Sequence, residues 1–368
     1  MKKITVLGSG MVGRAMIEDL SKKYKVLAAD ISMENLKELK KNDNITISEI
    51  DLSQKENVQK IIQGCDLVIG AVPGFMGFQT VQTVIESGKN IVDISFFPED
   101  AFLLDELAKQ HNVIAVVDCG VAPGMSNMIL GYHNSISELT NFECYVGGLP
   151  FNREFPYEYK APFSPIDVIE EYIRPARYVK NGQLVTMEAL SEPEIIEFEE
   201  VGELEAFNTD GLRSIIKTMN IKDMKEKTLR YPGHIDLMRA LRKTGFLSSE
   251  ETEVNGQMIK PIDLTTKLLF PIWKLGKNEH EFTIMKILVE GKDKKITYSL
   301  FDKYDAITEK SSMARTTGYS CTAAAELVLN NDYSKIGISP PEFVGAEAGC
   351  LEKVFNYLKN RNVMFEEK

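Results

Sequence analysis

The chain opens on a short apolar run, Ile4 to Leu7, that meets Gly8-Ser9-Gly10-Met11-Val12-Gly13, and an amphipathic run from Arg14 to Lys22 follows at once. This pattern predicts strand, glycine turn and helix. Lys25 to Ala29 then reads as a buried strand ending in Asp30, with a helix over Asn35 to Lys41. A weaker strand at Ile45 to Ile50 runs into Asp51 and precedes a helix over Lys55 to Gln63. Strand Leu67 to Ala71, helix Phe78 to Ser87, strand Ile91 to Ile94, helix Pro98 to Gln110 and strand Val113 to Val117 continue the alternation. Short apolar strands separated by helical stretches predict the α/β class, a doubly wound parallel sheet of the Rossmann type.

After Met128 the pattern changes. Phe142 to Tyr145, Ile195 to Phe198, Phe282 to Val289 and Ile296 to Phe301 read as antiparallel strands, with turn signals at Gly147-Gly148, Asn181-Gly182 and Gly291-Lys292. An inserted α+β domain is therefore expected over residues 129–312. Ala314 to Leu329 and Leu351 to Asn360 read as helices that return to the first domain. The Rossmann domain is thus expected to be discontinuous, 1–128 plus 313–368.

The glycine turn carries chemistry. Gly8 permits a tight turn, Gly10 lets a pyrophosphate approach the backbone, and Gly13 lets helix pack on strand. The helix start at Met11 and Val12 offers unpaired N–H groups and a positive dipole end to phosphates. Asp30, about twenty positions on, is placed to accept hydrogen bonds from ribose hydroxyls. It would repel a 2′-phosphate by on the order of 4 kcal/mol at about 4 Å before screening. Neither Arg nor Lys follows directly; the next residues are Ile31, Ser32 and Met33. The expected cofactor is NAD. Asp30 capping the following helix is the simpler alternative. Ligands of such sheets lie beyond the carboxyl ends of the strands, which singles out Asp51 and Leu52 near the adenine. Ala71, Val72 and Pro73 fall near the ribose and nicotinamide, followed by Ser95 and Asp118.

Composition narrows the classes. The chain has 368 residues, enough for two domains with a sizeable core. The net charge of −11 argues against nucleic acid and against anionic membrane surfaces. No apolar run reaches a spanning length, and the first residues enter a strand, so neither an anchor nor a secretory leader is expected. Cys65, Cys119, Cys144, Cys321 and Cys350 lack CxxC spacing and are odd in number, which fits reduced, mostly buried thiols and a cytoplasmic location. Four scattered histidines make no metal constellation.

Five motifs carry a resemblance. GVAPGMSN at Gly120 to Asn127, YVGGLP at Tyr145 to Pro150, GELEAFNTDG at Gly202 to Gly211, KTLRYPGH at Lys227 to His234 and SMARTTGY at Ser312 to Tyr319 resemble the saccharopine dehydrogenase family, most nearly its L-lysine 6-dehydrogenases. The resemblance implies a homodimeric enzyme whose inserted domain binds an amino-acid substrate and dimerises. It implies NAD-dependent oxidation of the ε-amine of L-lysine to the 6-semialdehyde, which cyclises to piperideine carboxylate. Val146 stands where saccharopine reductases typically carry Cys, and Ala122-Pro123-Gly124 where they typically carry Asp-Pro-Gly. The alternatives are a saccharopine or carboxynorspermidine dehydrogenase, and a non-catalytic NAD-binding protein.

Such an oxidation needs a neutral amine, hence a base or a dry pocket. Asp118 and Asp93 at strand ends are the candidate bases; Tyr159 and His234 are the candidate proton relays. Each carries a plainer reading as a residue that holds a turn or packs. Arg230 and Arg315 suit a substrate carboxylate, with Arg213 a weaker choice and Asn127 at the end of its motif a further candidate; either of the first two arginines also suits an internal acid. Cys119 reads as buried filler rather than nucleophile.

Overall fold

The computed structural model describes residues 1–276, 279–292 and 294–368. They form two compact units: Met1–Glu138 with Met313–Met364, and Leu139–Ser312 with Phe365–Lys368.

The first unit begins β1 (Lys3–Leu7), α1 (Met11–Leu20), β2 (Lys25–Asp30) and β3 (Ile45–Glu49). It continues through β4 (Leu67–Gly70), α2 (Gly74–Glu86), β5 (Ile91–Asp93), β6 (Ile114–Val116) and α3 (Met125–Ile136). Shorter helices Met33–Lys37, Lys55–Ile61 and Asp105–Gln110 fill the remaining crossovers. In the second unit β7 (Leu139–Pro150) is followed by α4 (Pro165–Ile173), β8 (Ala176–Lys180), β9 (Gln183–Met187), β10 (Glu194–Phe198), β11 (Gly202–Asn208) and β12 (Asp223–Arg230). Then come α5 (His234–Lys243), the ribbon β13 (Thr252–Val254) and β14 (Gln257–Ile259), α6 (Pro261–Trp273), β15 (Glu281–Gly291) and β16 (Lys295–Lys303). The chain ends with α7 (Ser312–Leu329), β17 (Gly337–Ser339), α8 (Pro341–Ala346), α9 (Cys350–Lys359) and β18 (Phe365–Glu367).

The first sheet runs β17-β6-β5-β4-β1-β2-β3 and every pairing is parallel. Strand order reverses between β1 and β4, which makes the turns after those two strands the switch point. Leu7, Val68, Val81, Ile85, Ile91 and Val113 pack one core of this unit. Burying such side chains from both faces is why these strands are continuously apolar. Asp19 on α1 ties the chain's return: its carboxylate accepts from Arg361 Nε at 2.8 Å, Tyr357 Oη at 2.6 Å and Thr322 Oγ1 at 3.0 Å.

The second sheet runs β10-β11-β12-β7-β15-β16-β18, with β8 and β9 branching from β12. Tyr172, Phe207, Leu229, Trp273 and Phe282 form the heart of its core.

Several expectations are corrected. Gly147-Gly148 is not a turn. Both residues lie inside β7, paired with Ile284 and Thr283, and a Cβ on Gly147 would stand 2.8 Å from Leu229 Cβ. The segment around Phe142 to Tyr145 is antiparallel to β15 but parallel to β12. The first unit keeps residues to 138 rather than 128, because α3 is held backbone to backbone against α8: a Cβ on Gly131 would lie 2.0 Å from the Glu342 carbonyl oxygen. The last four residues go to the second unit, since β18 pairs with β16. Helix α2 starts at Gly74 rather than Phe78, with Pro73 as its N-cap. Helical structure over Pro98 to Gln110 is confined to a 3₁₀ turn at Ala101–Leu104 and the helix Asp105–Gln110. The stretch Asn35 to Lys41 is divided between the helix Met33–Lys37 and a 3₁₀ turn, Glu38–Lys41.

Candidate active site

In the first unit the glycine turn closes on the strand next to it. Gly8 has φ +105°, and a Cβ there would lie 2.3 Å from the Ala71 carbonyl oxygen. A Cβ on Gly13 would lie 2.2 Å from the Gly8 carbonyl oxygen. Both positions therefore require glycine. A Cβ on Gly10 meets nothing within 4 Å, so that side of the turn is open. Gly10 caps α1 without a side-chain bond, and no acidic residue stands in the first turn. Ser9 Oγ is buried and has no hydrogen-bond partner. An open cradle, a hydroxyl that lacks a partner and a helix N-terminus fit the pyrophosphate of a dinucleotide.

Asp30 is fixed to this turn. Its Oδ2 accepts from Ser9 N at 2.6 Å, and its Oδ1 accepts from Ser32 N at 2.8 Å and Asn35 Nδ2 at 3.4 Å. The helix N-cap is Ser32, so Asp30 does not act as the capping residue. Ile31 is 67% exposed and Met11 42% exposed beside it, two apolar groups left on the surface at the open side of the turn. Further along, Asp51 accepts from Ser53 N at 2.9 Å, and Leu52 and Val72 are buried. Pro73 is exposed.

Beyond β5 and β6 lies an acidic cluster. Asp93 is wholly buried; its Oδ1 accepts from Ser95 N at 2.8 Å and its Oδ2 from Ser95 Oγ at 3.0 Å. Its carboxyl pKa is pushed well above the usual range by burial, against the pull of the Ser95 bonds, with the charge of Asp118 adding to the rise. Asp118 is held in the left-handed region at φ +52°. Cys119 N donates to the Asp93 carbonyl at 2.9 Å, which fastens the two strand ends together. Burial pushes the Cys119 thiol up, followed by Asp93 and Asp118, and burial pushes the Cys321 thiol up, followed by Cys119 and Asp93. That suits filler better than a nucleophile. All five cysteines are buried and outside any disulfide.

Two expected substrate ligands are engaged elsewhere in this unit. Arg315 Nη2 donates to the carbonyls of Arg361 and Asn362, each at 3.1 Å, where it ties down the segment after α9. Asn127 is 1% exposed; its Oδ1 accepts from Gly124 N at 3.3 Å and Ser126 Oγ at 3.0 Å, and its Nδ2 faces Glu342 Oε2 at 3.5 Å. In these contacts both residues hold the fold of the first unit.

In the second unit Arg230, Tyr159 and His234 come together, joined by three residues the sequence did not single out: Glu171, Tyr172 and Trp273. Arg230 donates from Nη2 to Glu171 Oε2 at 2.7 Å, from Nε to Tyr172 Oη at 3.0 Å and from Nη1 to the Leu229 carbonyl at 3.0 Å. Its guanidinium lies 4.4 Å from the Tyr159 ring centroid, with Nη2 at 3.5 Å from Tyr159 Oη. The internal acid that claims Arg230 is Glu171, so a substrate carboxylate has no empty fork to enter there. His234 faces the Tyr157 carbonyl with Nδ1 at 2.8 Å and Tyr172 Oη with Nε2 at 2.9 Å. A carbonyl only accepts, so Nδ1 carries the proton and Nε2 accepts from Tyr172. Burial first, and Arg230 second, push His234 down to about 3. His234 is thus a neutral acceptor inside the core, not a relay that charges near neutral pH. Burial raises the Tyr159 phenol well above its ordinary range, so it acts only as a neutral O–H. Trp273 packs edge-on against Tyr157, Tyr159 and Tyr172. Arg213 is buried and held at φ +54°.

The apolar spacing Val168, Ile169, Tyr172 was the available signal for α4 and so for Glu171. Nothing local marked the meeting of Tyr172, Arg230 and Trp273, which come from separate elements and are joined by the Arg230–Tyr172 hydrogen bond and by ring packing.

A dinucleotide-binding α/β unit and a mixed-sheet unit define the class. Residues 4–116 match the family model described as the saccharopine dehydrogenase NADP binding domain, and residues 120–363 match the saccharopine dehydrogenase C-terminal domain. The chain belongs to the saccharopine dehydrogenase family. It is 26% identical over 267 residues to the mitochondrial alpha-aminoadipic semialdehyde synthase of Mus musculus, covering 68% of this chain and 29% of that protein. It is 20% identical over 375 residues to the carboxyaminopropylagmatine dehydrogenase of Synechocystis, covering 92% of each chain. The apo saccharopine dehydrogenase (L-Glu forming) of Saccharomyces cerevisiae shares the fold with a TM-score of 0.79 at 19% identity, over 100% of this chain and 99% of that one. The chain spans less than a third of the length of the first curated relatives it matches. Among the described residues no helix is long and apolar enough to cross a membrane.

Proposed function

We propose that this chain is an NAD-dependent oxidoreductase that removes the ε-amine of L-lysine oxidatively, giving the 6-semialdehyde and ammonia. The observation that carries the cofactor half is the Asp30 carboxylate, 2.6 Å from the Ser9 amide. It presents an anionic acceptor beside the glycine turn, which favours ribose hydroxyls and repels a 2′-phosphate. Gly8, Gly10, Met11, Val12 and Gly13 would hold the pyrophosphate, Ile31, Asp51 and Leu52 the adenosine, and Ala71, Val72, Pro73 and Ser95 the nicotinamide half. When bound, the nicotinamide supplies the hydride acceptor. The family model is described with NADP; the charge of Asp30 supports NAD. Michaelis constants are expected to favour NAD over NADP by at least about a hundredfold, a fraction of the on-the-order-of 4 kcal/mol repulsion after screening. Asp30→Ala is expected to erase most of that ratio. An NADP constant below the NAD constant in the unaltered protein refutes the assignment.

The substrate half rests on the family membership and on two departures, Val146 and Ala122-Pro123-Gly124, from the saccharopine reductase pattern. Loss of hydride from Cε needs the nitrogen lone pair, and a lysine ammonium has a pKa of about 10.4. Asp118 is assigned to take the ammonium proton. Turnover with L-lysine and NAD is expected to climb from neutral pH toward about 9 to 10 as the ammonium titrates. NADH formation across a panel of ω-amino acids measures this directly; a flat profile with lysine removes the requirement for a titrating amine.

The reading that stands second is oxidation of a secondary amine joining two amino compounds, favoured by the 92% coverage of both chains in the carboxyaminopropylagmatine dehydrogenase match. NADH consumption with an aldehyde plus glutamate or a diamine, and none produced from lysine, selects it. Tight NAD binding without turnover on either panel leaves a non-catalytic binder.

A further inference from the structure

Asp93 is wholly buried, and its side chain bonds only to Ser95: Oδ1 to the amide nitrogen at 2.8 Å and Oδ2 to Oγ at 3.0 Å. Among the described residues the charged group that bears on it is Asp118, of the same sign. The thiols of Cys119 and Cys321 also face it, and burial keeps both uncharged. A carboxylate left without a cation in the interior is costly and takes up a proton instead. The fold nevertheless makes room for this carboxyl. Gly70 pairs with Asp93 across the sheet, and a Cβ there would lie 1.9 Å from Asp93 Oδ2. Ser95 is clamped from another side. A Cβ on Gly77, near the start of α2, would lie 2.6 Å from Ser95 Cβ and 3.2 Å from its Oγ. The serine oxygen is thus fixed in place, and its hydrogen alone is free to turn.

We propose that at neutral pH Asp93 carries a proton on Oδ2 and donates it to Ser95 Oγ, which leaves the serine hydroxyl as a hydrogen-bond donor for the carboxamide oxygen of a nicotinamide. The inference rests on the reading that Ser95 belongs to the nicotinamide half of the cofactor site. Both bonds fit a neutral acid. Its carbonyl oxygen, Oδ1, accepts from the Ser95 amide, and its O–H, on Oδ2, is given to the hydroxyl oxygen. The 3.0 Å separation serves with the hydrogen on either oxygen. An ionised Asp93 would capture the Ser95 hydrogen for itself. Oγ would then meet a ligand as an acceptor only, which matches the carboxamide nitrogen. The proton on one buried carboxyl therefore decides which end of the carboxamide Ser95 holds. Asp118, the assigned base, bears the negative charge of the two carboxyls, and that charge raises the cost of a second on Asp93. Asp93 is then a positioning residue that acts through Ser95.

Infrared difference spectra test the proton without cofactor or turnover. At neutral pH the unaltered chain minus Asp93→Asn is expected to show the carbonyl stretch of a protonated carboxylic acid. A carboxylate band in its place overturns the proposal. Calorimetric titration tests the direction of the serine bond. Ser95→Ala is expected to weaken NAD binding about tenfold, the worth of one hydrogen bond. The acetylpyridine analogue of NAD keeps the carbonyl but lacks the amide N–H, and the same loss is expected for it. A loss confined to NAD means that Ser95 accepts rather than donates, and refutes the assignment. Asp93→Ala is expected to weaken NAD by a factor similar to Ser95→Ala. Asp93→Asn, whose Nδ2 donates to Ser95 Oγ as the acid does, is expected to stay within about threefold. Equal losses in the two Asp93 variants deny the donated hydrogen its role. The infrared result decides the matter even if Asp93→Ala fails to fold. If Asp30→Ala weakens NAD and Ser95→Ala does not, the proposal fails and the cofactor reading stands; a chain that binds no NAD loses both.

Discussion

Asp118→Asn is expected to cut turnover on L-lysine by about 10² to 10⁴-fold, the range for loss of a positioned general base, with the NAD Michaelis constant within about twofold. The substitution is nearly isosteric, and the backbone at Asp118 sits at φ +52°. Asparagine tolerates that conformation at least as well as aspartate. The Cys119 amide keeps its bond to the Asp93 carbonyl, so the strand ends stay joined. Asp93→Asn is the matched control. Asp93 is buried with both oxygens on Ser95, and its carboxyl already favours the neutral form relative to an ordinary aspartate. The amide oxygen of asparagine can still accept from the Ser95 amide and its nitrogen can donate to Ser95 Oγ, and a fall in turnover below about tenfold is expected. Should Asp93→Asn prove the more damaging of the two, the base is misassigned. Should Asp118→Asn keep full rate, the base is assigned to the wrong residue.

The first unit was readable from its sequence because its signals are local. A glycine that must lie against Ala71, a carboxylate at the end of β2 and apolar strands buried on both faces are each written within a few residues. Pro73 blurred only an edge: it caps α2, whose first turn contains two glycines, Gly74 and Gly77, that carry no helical signal of their own. The second unit resisted. Gly147-Gly148 carries the strongest local turn signal in its motif, yet it is strand, because Leu229 on the neighbouring strand presses on Gly147. The parallel pairing of β7 with β12 joins segments some eighty residues apart, and no periodicity announces a partner at that distance. The same holds for the site. Arg230 and His234 were marked by one motif, but their state is set by Glu171, Tyr172 and Trp273. The arginine that chemistry alone offers to a substrate carboxylate has been taken by a carboxylate of its own chain.

That internal pair makes Arg230→Met the substitution with the largest expected effect on stability. Methionine fills much of the volume, so the loss is electrostatic and hydrogen-bonding. Glu171 loses its 2.7 Å partner and Tyr172 its 3.0 Å donor. Removing one member of a buried pair costs about 3–5 kcal/mol, whereas replacing both by apolar groups is often close to neutral. Urea unfolding at neutral pH is expected to show that loss for Arg230→Met and recovery of at least about half of it in Arg230→Met with Glu171→Leu. A double variant no more stable than the single one denies the pair its role. The pH dependence supplies an independent check. His234 has a pKa of about 3 when folded, against 6.5 in its ordinary state. Between those values the unfolded chain binds the extra proton, so stability rises with pH through the window and falls as the solution is acidified from 6.5 toward 3. The contribution is on the order of 4–5 kcal/mol across the full window. Burial is the larger cause and the positive charge of Arg230 the second. Without that charge the folded pKa moves up, the window closes from below, and the acid slope of Arg230→Met is shallower than that of the unaltered chain. An equal or steeper slope means that Arg230 does not hold His234 neutral.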